Sequence, residues 1–174
     1  MPSANLHTCL HTCVRLDAPG EWYIEDESGL LYFIPPEGSG PPEHWAEGTV
    51  VVSFNDTAVS LVDVSNVELR GLTIRAATHT GIEGTGVTGV HVANCTISGH
   101  GRHGIDLEGT NSGVESSHVY SVGGSGMRIT GGEAMTLTPG GMYAHDNHVH
   151  HIGLWKRTYQ PALFWGGLSP SLSL

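Results

Sequence analysis

The chain has 174 residues, of which 25 are Gly, about twice the usual share of about 7%. Such a Gly content without a Gly-X-Y period excludes collagen and is too costly for a long helical bundle. With only 7 Lys or Arg against 17 Asp or Glu, a formal net charge of −10 argues against nucleic acid or an anionic membrane as partner.

Residues 1–16 read as an irregular N-terminus without the basic and apolar regions of a signal peptide, and no apolar run predicts a transmembrane helix. No localisation is assigned. Cys9, Cys13 and Cys95 leave one thiol odd, which argues against a full disulfide framework. Residues 17–58 form the second segment. Pro19-Gly-Glu-Trp-Tyr-Ile24 and Leu30-Leu-Tyr-Phe-Ile34 predict two aromatic strands around a polar turn at 26–29, a hairpin closed by Pro35 and Pro36. Residues 38–42 read as a loop, and 49–54 and 60–64 as strands.

From residue 59 to 165 the sequence repeats. Asn66-Val-Glu-Leu-Arg-Gly-Leu-Thr-Ile74 overlies Gly89-Val-His-Val-Ala-Asn-Cys-Thr-Ile97 at an offset of 23. The same offset carries Gly81-Ile82 onto Gly104-Ile105. A third copy follows at 22, taking Ile97 to Val119 and Gly104-Ile105 to Gly126-Met127. A fourth lies 30 beyond, and its extra eight residues match an inserted loop at 132–141. Apolar and polar positions alternate in short runs punctuated by Gly, Asn, Ser and Thr, which is strand periodicity. A unit of 22–23 residues with three short strands predicts one coil of a right-handed parallel β-helix, about four coils in all. A leucine-rich horseshoe has a similar period, but the Leu-x-x-Leu-x-Leu frame and a helical half-repeat are missing. Ile74, Ile97, Val119 and Val149 are expected to stack inward on one sheet, and Ile82, Ile105 and Met127 on another. Gly is expected at the bends between sheets. The hairpin aromatics are expected to be core or cap, since the end of a β-helix exposes unpaired strand edges. Residues 166–174 read as an irregular tail.

Glu21-Trp-Tyr-Ile-x-x-x-x-Gly-x-Leu-Tyr32, Val67-x-Leu-Arg-Gly-Leu-Thr-Ile74, Leu137-Thr-Pro-Gly-Gly141 and Trp155-Lys-Arg-Thr-Tyr-x-Pro161 resemble the right-handed β-helix, pectin-lyase-like proteins, over about residues 17–163. The resemblance implies a carbohydrate-active protein acting on or binding polysaccharide or oligosaccharide, first as a glycoside hydrolase and second as a polysaccharide lyase. A non-catalytic glycan-binding or structural module, or an inactive fragment, is the alternative. Members usually run several hundred residues with further coils, so the chain resembles a truncated member. Many are secreted. No cofactor is implied, and the oligomeric state is left open.

In pectin-lyase-like folds, ligands bind along the groove beside one parallel sheet, whose outward residues form ladders. With Ile82, Ile105 and Met127 inward, alternation puts Glu83, Asp106 and Arg128 outward on successive rungs, with Glu108 and Thr130 one step further on. Glu83 and Asp106 are the candidate catalytic pair, since carboxylates on neighbouring rungs suit the spacing of a retaining glycosidase. The alternative is ordinary polar decoration of a solvent face. Arg128 is a candidate for binding a sugar carboxylate, or for the base of a lyase. Trp155, Lys156, Arg157 and Tyr159 are candidate substrate-binding residues, two aromatics to stack on sugar faces and two cations to bind hydroxyls or carboxylates. The run Ala144-His-Asp-Asn-His-Val-His-His-Ile152 places His148 and His150 on one outward face, with His118 a rung away. Its spacing matches no known metal motif and reads as structural, so no metal site is assigned. Asn94, Asp146 and Asn147 are expected at turns between sheets.

Overall fold

The computed structural model of the protein describes residues 16–25, 27–41, 45 and 50–167. Cys9, Cys13 and most of both predicted irregular ends lie outside them. The chain forms two compact units, Met1–Val50 and Val51–Leu174. In the first, β1 (Trp22–Ile24) and β2 (Leu31–Phe33) pair antiparallel, Trp22 opposite Phe33, as the hairpin pattern requires. Tyr23 and Tyr32 stack across the pair at 6.3 Å, and Phe33 meets Trp45 edge-on at 6.1 Å.

The second unit is a parallel solenoid. Its strands are β3 (Thr57–Val62), β4 (Glu68–Arg70), β5 (Thr73–Arg75), β6 (Thr80–Thr88), β7 (His91–Ala93), β8 (Thr96–Ser98), β9 (Ile105–Thr110), β10 (Gly113–Glu115), β11 (His118–Tyr120), β12 (Met127–Gly131), β13 (Tyr143–His145), β14 (His148–His150) and β15 (Leu163–Gly167). They form a five-stranded sheet, β15-β12-β9-β6-β3, and two four-stranded sheets, β13-β10-β7-β4 and β14-β11-β8-β5. Every pairing is parallel and in the register of the sequence repeat: Val59 to Ile82, Ile105 and Met127; Leu69 to Val92, Val114 and Ala144; Ile74 to Ile97, Val119 and Val149. Three turns are regular. The next is lengthened by the loop at 132–141, tied by a Glu133–Thr138 bridge, and by the segment ahead of β15, so Met127 pairs with Leu163. Residues 50–55 form no strand, and the strand predicted at 60–64 lies slightly earlier, as β3 over Thr57–Val62.

The ladders are the core. Ile82, Ile97, Ile105, Leu107, Val92, Val114, Val119 and Ile129 are wholly buried, each contributing about 1.5–3 kcal/mol of apolar burial. Single left-handed residues make the corners and themselves stack from turn to turn: Gly71, Asn94, Ser116 and Asp146 at one, Ala76, Gly99, Ser121 and His151 at another. Gly and Asn reach that conformation at least cost, and a third corner, Asn66, Gly89, Asn111 and Gly141, uses only these two. The offset falls from 23 to 22 at a bulge in β6, where Gly86 at φ +66° slips the register between Thr85 and Val87.

Buried polar groups tie successive turns together. Ser112 Oγ accepts from Val90 N–H at 2.9 Å and donates to the Thr110 carbonyl at 2.8 Å. Ser117 Oγ does the same for Cys95 N–H at 3.1 Å and the Glu115 carbonyl at 2.8 Å. Asn147, at a predicted turn, accepts from Ser117 N–H and donates to the Val114 carbonyl. His100 accepts from Ala77 N–H at Nδ1, and its Nε2 lies 3.2 Å from the Ile74 carbonyl, the pairing of a neutral ring. Ser112→Ala strands the Val90 N–H in the interior, so it is expected to cost about 1–3 kcal/mol in urea unfolding. A change under about 0.5 kcal/mol would show that the bond is replaceable.

Candidate functional site

The five-stranded sheet carries one charged face. Its outward rungs read Ser60, Glu83, Asp106, Arg128 and Phe164 in register, flanked by Val62, Thr85, Glu108, Thr130 and Gly166. Alternation with the buried Ile82, Ile105 and Met127 produces this face, and it brings Glu83, Asp106 and Arg128 together on successive rungs about 4.8 Å apart. Arg128 Nη1 donates to Asp106 Oδ2 at 2.9 Å, with both side chains largely shielded. The guanidinium also lies over the Phe164 ring at 5.4 Å. Glu83 is exposed, and its Oε2 accepts from Thr57 Oγ1 at 2.9 Å. Burial pushes the Asp106 carboxyl above its usual pKa; the nearby Arg128 opposes this and Glu83 adds to it.

The strands of this sheet run between two recesses. Ahead of their N-terminal ends is an open cavity of about 480 Å³, lined by Thr78, His79, Gly101, Arg102, Gly123, Gly124, Trp155, Lys156 and Gln160. At their C-terminal ends a second, of about 340 Å³, lies between Glu108–Thr130 and the inserted loop, with Glu133, Thr138 and Pro139 on its wall. The segment carrying Trp155 is pinned to the corner beneath it. Gly153 N–H donates to the Gly124 carbonyl at 2.8 Å, and Trp155 and Lys156 N–H donate to Gly123 at 3.1 and 3.0 Å. Ser125 Oγ donates to Gln160 Oε1 at 2.9 Å. The indole rests on a floor of glycine: a Cβ on Gly101 would overlap the Thr78 carbonyl and stand 3.0 Å from Trp155 Cζ3, and one on Gly123 would stand 3.2 Å from Cδ2. Half of Trp155 stays exposed, so the segment holds a fixed aromatic surface toward solvent.

A family model described as "Right handed beta helix region" matches residues 44–159, two thirds of the chain. The chain belongs to that family. Searches of curated proteins and of solved structures returned no match. Of the residues singled out in this β-helix, Trp155 and Lys156 line the larger cavity. Arg157 and Tyr159 do not, and the Tyr159 ring projects into solvent, 94% exposed.

Sequence reasoning passed over Arg102, His103 and the glycine floor. Their signal is the same repeat, since Thr78, Gly101 and Gly123 occupy equivalent corners at offsets of 23 and 22. His103 is only 5% exposed; its ring donates to the Ser125 backbone, and its Nδ1 has no hydrogen-bond partner. Burial, reinforced by the charges of Arg102, Arg128 and Lys156, holds its pKa down at about 4. Three of the seven cations in an acidic chain thus act on one buried ring beneath this end of the sheet. Among the described residues no helix is long and apolar enough to cross a membrane.

Proposed function

We propose that this β-helix binds polysaccharide along the outward face of the five-stranded sheet and cleaves it as a retaining glycoside hydrolase. The observation that carries the reading is the Glu83–Asp106–Arg128 ladder, three charged side chains in register on one face between two recesses. Asp106, partly shielded and with its pKa raised, is suited to protonate the leaving glycosidic oxygen. Glu83 is the exposed carboxylate one rung away, placed to attack the anomeric carbon and form a glycosyl ester. Ionised Asp106 then takes a proton from water, which hydrolyses the ester and regenerates both groups. Arg102 and Lys156 in the recess, with Arg128 on the face, supply donors for sugar hydroxyls or for a uronic-acid carboxylate.

A glycan array with a reducing-end assay tests the reading. Binding with release of new reducing ends, retained in configuration, is the expected result. Binding without product would leave a glycan-binding module and remove the hydrolytic step, and no binding to any acidic or neutral glycan would refute the proposal. Trp155→Ala is expected to weaken glycan binding about tenfold by removing roughly 1.5 kcal/mol of ring stacking, measured by calorimetry. An unchanged affinity would take the aromatic surface out of the site.

A further inference from the structure

A cluster of three histidines lies on another sheet. β11 and β14 are adjacent and parallel, with His118 opposite His148 and Tyr120 opposite His150. Val149, between His148 and His150, faces inward against the core and pairs with the wholly buried Val119. All three histidines therefore project from the outward face, His148 and His150 because they are two apart on one strand and His118 because it is in register beside them. The His118 and His148 rings stack at 4.8 Å and 4°. His118 Nε2 lies 2.7 Å from His150 Nε2, and one ligand nitrogen from each ring falls within 4.8 Å of the others.

We infer that His118, His148 and His150 form a binding site for a single divalent transition-metal ion, of which Zn²⁺ is the best match. In a tetrahedral zinc site with Zn–N distances of about 2.0–2.1 Å, ligand nitrogens stand about 3.3 Å apart. The closest pair stands at 2.7 Å and all three nitrogens lie within 4.8 Å of one another, so reaching that spacing asks for changes of no more than about 1.5 Å in any separation. Imidazole donors favour zinc, cobalt, nickel and copper over calcium or magnesium, which prefer oxygen. Three protein ligands leave a fourth position open to water or a small anion, the arrangement of a reactive rather than a purely structural zinc.

The surroundings support the same assignment. A metal-bound histidine usually has its other ring nitrogen held by a neighbour, and His150 Nδ1 is in close contact with His151 Nδ1. The tautomers that satisfy both contacts have His150 donating from Nδ1 to His151, and His118 donating from Nε2 to the free Nε2 of His150. The ion takes the place of the proton between those two Nε2 atoms. That proton passes through solvent to His118 Nδ1, so loading neutral rings releases no net proton. Tyr120 closes one side, stacked on His150 at 5.3 Å and tilted against His118 at 4.6 Å.

Chelator-treated protein without a polyhistidine tag, titrated with Co²⁺ and followed by its visible absorption, tests the assignment, with Zn²⁺ as competitor. One equivalent of Co²⁺ should bind with the strong visible bands of a four-coordinate site and be displaced by Zn²⁺. His118→Ala, His148→Ala and His150→Ala should each weaken binding by about 100-fold or more, since loss even of an outer partner costs about 10–100-fold. His145→Ala, on the neighbouring sheet and paired with Glu115 and Asp146, should bind as the wild type does. Circular dichroism of the metal-free variants should be unchanged, as the three side chains point away from the core. Failure to bind one equivalent, an octahedral Co²⁺ spectrum, binding that survives His148→Ala, or equal loss in His145→Ala would each overturn the site.

Discussion

Glu83→Gln and Asp106→Asn are each expected to reduce polysaccharide cleavage by about 100-fold or more, the ordinary worth of a positioned acid or nucleophile. Both substitutions keep the side-chain shape. The amide oxygen introduced by Asp106→Asn can still accept from Arg128, and that of Glu83→Gln can still accept from Thr57, so the fold and the melting temperature should hold. Two further readouts separate the roles. Asp106 must be protonated to act as acid, so wild-type activity should fall as the pH rises through its raised pKa, and Asp106→Asn should lose that alkaline limb. Glu83→Ala should regain turnover with azide, which fills the vacated space and attacks the anomeric carbon, and the glycosyl azide should have inverted configuration. Cleavage unaffected in both variants would remove the pair from the chemistry and leave ladder polarity as the role of these residues.

The second large effect is on stability and pH. His103 titrates at about 4 in the folded protein against 6.5 for an unperturbed histidine. Protonation would put a second N–H at Nδ1, where no acceptor waits, beside three cationic side chains. The unfolded chain takes up this proton below about pH 6.5 and the native chain does not until about pH 4. The contribution is therefore fully present above pH 6.5 and is lost as the pH falls through that window. It amounts to about 3 kcal/mol. His103→Gln retains a donor toward Ser125 and cannot titrate. Urea unfolding at about pH 7 and about pH 4 should show the wild type losing about 3 kcal/mol more than the variant, the carboxylates common to both cancelling. Parallel losses would mean that His103 takes up its proton in the native state as readily as in the unfolded one.

Much of this molecule is legible in its sequence because a solenoid repeats one local problem. The offsets that align Ile74, Ile97, Val119 and Val149 are the hydrogen-bond register itself, and alternation about Ile82, Ile105 and Met127 places Glu83, Asp106 and Arg128. β3 is harder to place, since no earlier copy exists against which to align Thr57-Ala-Val-Ser-Leu-Val62. The change of offset is visible, but its cause, the Gly86 bulge, is a backbone event. Contacts made across turns by corner residues are not legible. Trp155 on the Gly101 and Gly123 floor and Phe164 under Arg128 depend on how a long segment folds back over the coils. The histidine run shows its shared face, but convergence of three nitrogens is a matter of side-chain rotation, which spacing does not encode.

The proposed glycan face is tested most directly by amide and indole NMR of the isotope-labelled 18.4 kDa protein titrated with an acidic oligosaccharide. Shifts confined to Glu83, Asp106, Arg128, Phe164 and the Trp155 indole, saturating with added sugar, are the predicted result. A spectrum that does not change, or changes centred on the histidine face of β11 and β14 instead, would contradict it.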